Sequence, residues 1–167
     1  TLAEIERESR SITNLEKRLT DAEEIIKVAL ESRLIRSRLN LLEQNLNFIR
    51  QVAQQEKSSA GNEKYHQQAL TILESQLRAI ETSVAVLRGR IVLPKASASA
   101  AEQAAIFSQI FEEIDRLDRV YRIHIDTIEV APLLGRDVAA EKATLKQSLW
   151  DRAENGSVLL EMATSDI

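Results

Sequence analysis

The 167-residue chain has no cysteine, two prolines, four glycines and six aromatic residues. Without cysteine there is no disulfide framework, thiol nucleophile or thiolate metal site. With so little glycine and proline there are too few turns for a β-sandwich or barrel, which needs one every 8–12 residues. No apolar run approaches the roughly 20 residues of a membrane span. There is also no strong excess of one charge. Twenty-two basic and 26 acidic residues are interspersed, for a formal net charge of −4. No basic face stands out, so nucleic acid is not an expected partner. The chain starts at Thr1 with no leader-like pattern, and reads as a piece of a longer protein. Its length suits one domain with a single core.

What remains is rich in Ala, Leu, Ile, Glu, Gln, Lys and Arg, mostly strong helix formers. The breakers cluster at Ser58–Gly61, Gly89–Pro94 and Pro132–Gly135, with Gly156 near the end. They divide the chain into helices over 1–57, 62–92, 99–130 and 137–163. Ser99 with Glu102 forms a capping box, and Asp137 is a good N-cap. Leu70, Leu73, Leu77, Ile80, Val84, Leu87 and Ile91 step by three and four along the second helix. Phe107, Ile110, Ile114, Leu117, Tyr121, His124 and Ile128 do so along the third. The fourth is less regular, with Glu141, Arg152 and Asn155 on its seam. The expected fold is all-α, an antiparallel four-helix bundle over 25–167 with an over-long first helix.

Residues 1–24 are then either a helical extension or a separate N-terminal helix. Ile12, Leu15, Leu19, Ala22 and Ile26 form a narrow stripe, suited to one partner helix. Ile35, Leu39, Leu42, Leu46 and Ile49, with Leu34, Leu41, Phe48 and Val52, form a wide one, suited to a bundle interior. Continued as one helix, the first stretch overhangs by about 36 Å and its exposed stripe predicts a parallel homodimer. The rival is a break at Thr20-Asp21, where Thr20 with Glu23 or Asp21 with Glu24 caps a new helix.

No phosphate loop, nucleophile elbow or H-E-x-x-H motif occurs. Glu63-Lys64-Tyr65-His66 matches half of a di-metal bundle motif, but Tyr121 stands where the second Glu would precede His124. No catalytic residue, metal or cofactor is expected, and the chain reads as a non-enzyme.

Facing residues in an antiparallel hairpin sum to a near-constant number, about 191 for helices two and three and about 267 for three and four. This places His66 opposite His124 and His124 near Glu141. Phe48, Tyr121 and Trp150 fall within two turns of one another in height, though Trp150 points away from the Arg152 seam. Two accounts fit. In one, aromatics fill the wide end of a bundle, His124 pairs with Glu141, and Arg152 pairs with Asp115. In the other, Asn45, Phe48, Tyr121, His124, Leu149 and Arg152 line a pocket for a small anionic ligand, with Arg152 as its bidentate partner. A proton-sensing His124 is a third use. Arg33, Arg36 and Arg38 read as a solvated face, with anionic lipid or an acidic partner as the alternative. Asn155-Gly156-Ser157 matches a glycosylation sequon but sits in a helical pattern.

An even number of helices returns both termini to one end. This organisation resembles, in architecture alone, the sensing domains of bacterial transmembrane receptors such as chemoreceptors and sensor kinases. The resemblance implies an extracytoplasmic, periplasmic module tethered through flanking membrane segments, signalling by helix displacement. The alternative is a cytoplasmic coiled-coil scaffold or adaptor that dimerises through its first helix.

Overall fold

The computed structural model describes residues 1–20, 24–56, 63–92 and 94–151. These residues are all-helical, with no strand among them. Helix α1 spans Leu2–Thr20, α2 Glu24–Glu56, α3 Glu63–Gly89 and α4 Ala100–Val130. A 3-10 turn at Ala131–Leu134 leads to α5, helical from 139 to 151, where the described residues end. The expected loop at 58–62 and the segment 152–163 of the last expected helix lie outside them.

Local signals act where the sequence placed them. The Ser99 hydroxyl accepts from the Glu102 amide at 3.2 Å, and the Glu102 carboxylate accepts from the Ser99 amide at 3.3 Å. Pro132 opens the 3-10 turn and Gly135 closes it at φ 84°, a left-handed conformation that glycine adopts without Cβ strain. Asp137 Oδ1 then accepts from the Ala139 amide and starts α5.

The over-long first helix is corrected. Arg38 Nη2 donates to Glu16 Oε1 at 3.2 Å, 22 residues away in sequence. A straight helix would hold them about 33 Å apart. The chain therefore reverses between α1 and α2. Ile12 and Leu15 pack with Leu30 and Leu34 in a small buried cluster beside the main core. Of the stripe expected to pair two copies of the chain, Ile12, Leu15 and Leu19 pack against the chain's own α2, Ile26 is exposed, and Ala22 lies outside the described residues. Left in an overhang, both apolar strips would face water. Joining them within one chain avoids the translational and rotational cost of association.

Helix α2 is central and packs against α1, α3 and α4. That is why its apolar surface is wide. Leu42, Ile49, Leu73, Ile80, Leu87 and Val120 are the largest fully buried apolar side chains, and Val138, just before α5, and Leu145 within it bring α5 onto the same core.

Cross-helix bonds set the register. Asn45 with Gln76, and Glu31 with Arg90, both have residue numbers summing to 121, so α2 and the α3 side run in opposite directions. Arg119 with Glu43, and Arg50 with Asp126, both differ by 76, so α2 and α4 run the same way. For α3 and α4 the expected sum of about 191 is corrected. Arg90 with Glu113, Arg88 with Tyr121 and Glu74 with Arg136 give 203, 209 and 210. The partner of a given residue is thus displaced by about 18–28 Å, and His66 does not face His124. The cause is the connection after α3, which runs beside the first turns of α4 instead of turning back at once. Pro94, Lys95 and Ala98 line a cavity with Glu102, Ile106 and Ile110.

Candidate functional site

The residues singled out from sequence lie mostly in the core. Asn45 is buried on α2, and its Nδ2 donates to Gln76 Oε1 at 3.1 Å. Gln76, fully buried on α3, donates from Nε2 to the Leu42 carbonyl at 2.7 Å. Asn45 Oδ1 is buried with no hydrogen-bond partner among the described residues. Phe48 and Tyr121 are buried core residues. The Tyr121 hydroxyl accepts from Arg88 Nη2 at 2.9 Å, and Arg88 also donates to the Ser148 carbonyl on α5. One guanidinium thus ties α3, α4 and α5 together.

His124 is buried on α4. Burial pushes its pKa below the ordinary imidazole value, and the Glu141 charge only partly opposes this. The expected proximity of His124 and Glu141 is present, but Arg136 takes the Glu141 carboxylate at 2.8 Å. Arg136 also bonds Glu74 and the Asp137 carbonyl. Leu149 is half-buried against the core, Trp150 is 65% exposed, and Arg152 lies outside the described residues. The cavities of 380, 450 and 630 Å³ are lined by other residues.

The most concentrated charge lies elsewhere. Glu113 is 1% exposed, and its Oε1 accepts from Arg90 Nε at 3.0 Å and Arg116 Nη1 at 2.9 Å. Its Oε2 is buried with no partner among the described residues. Arg90 Nη1 reaches Glu31 Oε2 at 3.3 Å. Burial works against the charge on Arg90, yet its bonds to Glu113 and Glu31 outweigh this and raise its pKa. Arg90 lines two cavities. The 380 Å³ cavity lies toward the start of α4. The 630 Å³ cleft is walled by Glu16 and Leu19 of α1, Glu31, Leu34, Ile35 and Arg38 of α2, and Val86 near the end of α3.

Sequence reasoning missed this cluster because it followed apolar letters. The ladder 110, 113, 117, 120, 124, 127 also steps by three and four, and every member is buried, Glu113 and Thr127 included. On α3 the same holds for 69, 73, 76, 80, 83, 87, which carries Gln76 and Ser83. The signal was an equally regular ladder with polar members.

A third group pins α2 to α4. Arg119 holds Glu43 at 2.7 Å and Arg50 holds Asp126 at 2.8 Å, along the 450 Å³ groove that Arg122 also lines. The Arg119 bond keeps the Glu43 carboxyl below its usual pKa range. Among the described residues no three His, Asp or Glu side chains converge as a metal ion requires, and no helix is long and apolar enough to cross a membrane.

No family model, curated protein or solved structure matches the chain.

Proposed function

We propose that the chain is a non-enzymatic sensing module in which α1 is displaced against a helical bundle when a ligand binds. The carrying observation is how α1 is attached. Its buried residues, Ile5, Ile12 and Leu15, make a single stripe, and its helix–helix packing is with α2. The main core is meanwhile built mostly by α2, α3, α4 and α5, and α1 adds to it only Ile5, with Leu2 packed alongside. The constant sum across α2 and α3 and the constant difference across α2 and α4 support reading these helices as an alternating, antiparallel bundle that α5 joins. An outer helix held by one stripe, beside a 630 Å³ cleft, is the element that binding could shift at least cost.

The membrane-receptor setting belongs to this reading, with one change. With α1 reversed there are five alternating helices, so α1 and α5 run the same way and flanking spans would lie at opposite ends of the module. An extracytoplasmic receptor module of this kind then has a membrane span adjoining one side of it. The coiled-coil scaffold or adaptor is the second reading. In it a homodimer forms by exchanging α1 between two copies, because the stripe otherwise stays on its own α2. Gene sequence flanking this chain separates the two. An apolar run of about 20 residues on one side supports the receptor, and polar sequence on both sides supports the scaffold.

Displacement itself is measurable. The chain has no cysteine, so exposed Ser11 on α1 and Thr82 on α3 can each be changed to Cys and spin-labelled. Two exchanging distance populations are expected. One narrow population under all conditions overturns the reading.

A further inference from the structure

We propose that the 630 Å³ cleft between α1, α2 and the end of α3 binds a small carboxylate with an apolar tail, which takes the Arg90 guanidinium from Glu31. The proposal deepens the sensing reading and rests on it, because α1 forms one wall of the cleft.

The volume lies within the range of small-molecule sites, roughly 300–1,000 Å³. The floor is apolar, built from Leu19, Leu34, Ile35 and Val86, and Arg38 and Arg90 line it with them. Arg90 is aimed from behind. Glu113, almost fully buried, holds its Nε and shares the same oxygen with Arg116. Two guanidinium groups on one carboxylate leave that unit with a net positive charge. On the cleft side the balance comes from Glu31, a half-exposed carboxylate reaching Arg90 Nη1 at 3.3 Å. A ligand carboxylate in its place can pair with a guanidinium already oriented for it. Arg38 supplies a second cation, and its partner Glu16 is also half-exposed, at 3.2 Å. The displaced Glu31 stays ionised, and its half-exposed carboxylate can turn to water while the ligand takes its place on Arg90. The apolar floor gives affinity to a tail that a bare anion lacks.

Titration calorimetry with octanoate, octanol and acetate tests this on the 167-residue chain, with circular dichroism to verify folding of each variant. Octanoate is expected to bind, and octanol and acetate to bind at least tenfold more weakly. Removing the competing carboxylate in Glu31→Gln should tighten octanoate by about two- to fivefold, the range one exposed ion pair is worth. Arg38→Gln should weaken it by a similar factor. Val86→Trp, which fills the cleft and leaves both arginines in the chain, should abolish it. No octanoate binding, equal binding of octanol or acetate, unchanged or weaker binding by Glu31→Gln, or full binding by Val86→Trp would each overturn the site. Octanoate binding without a change in the Ser11–Thr82 distance keeps the site and overturns the sensing reading. Two distance populations without octanoate binding do the reverse.

Discussion

Arg38 Nη2 lies 3.2 Å from Glu16 Oε1 across the seam between α1 and α2, and this contact fixes α1 folded back along α2. The bond itself is worth little, since both side chains are partly exposed. Its meaning is geometric. The energy of the seam lies beside it, in Ile12, Leu15, Leu30 and Leu34.

Leu15 is 4% exposed at the centre of that seam. Leu15→Ala should weaken α1 docking by about 2–4 kcal/mol. Amide exchange should accelerate across α1 while α3 and α4 stay protected. Uniform acceleration in all helices would show that α1 and the core open as one unit.

Gln76 and Asn45 form a polar bridge inside the core, from α3 to the α2 backbone. Gln76→Ala should destabilise by about 1–3 kcal/mol in urea unfolding, because it strands the Asn45 amide and leaves a cavity. Replacing both residues with Leu should cost clearly less than the sum of the single losses, since no polar group is then left unpaired.

Glu113 bonds two arginines from a nearly fully buried position, whereas Glu43 bonds one arginine at the surface. Glu113→Gln should destabilise by about 2 kcal/mol, discounted from the range for fully buried pairs because Arg90 and Arg116 keep some exposure. Glu43→Gln should cost under about 1 kcal/mol. Equal effects in thermal unfolding would remove the distinction between the two sites.

Burial lowers the His124 pKa, so the unfolded chain binds this proton at a pH where the folded chain does not. Stability from the neutral imidazole is fully present above the unfolded-state pKa, about 6.5. It is lost as the pH falls below that value toward the folded pKa. Urea titrations between pH 7.5 and 5 should show this decline, and His124→Gln should flatten it. A decline of equal slope in the variant would assign it to the carboxylates.

Helix content was readable residue by residue, because breakers, caps and three-and-four spacing act within a turn or two. Ser99 with Glu102, Pro132 with Gly135, and Asp137 all do in the structure what their chemistry dictates locally. The narrow stripe on residues 12–19 likewise specified one partner helix. Which helix it met was decided by tertiary structure, because a stripe encodes area and not identity. The α3–α4 register was decided there too. Hairpin arithmetic assumes that a connection turns at once, and residues 94–98 line a cavity beside the first turns of α4 instead. The Arg90–Glu113 cluster shows the same limit. Sequence showed Glu113 as one glutamate among many on a helix. Only the packing of α4 against the end of α3 turned it inward, where desolvation makes two guanidinium partners necessary.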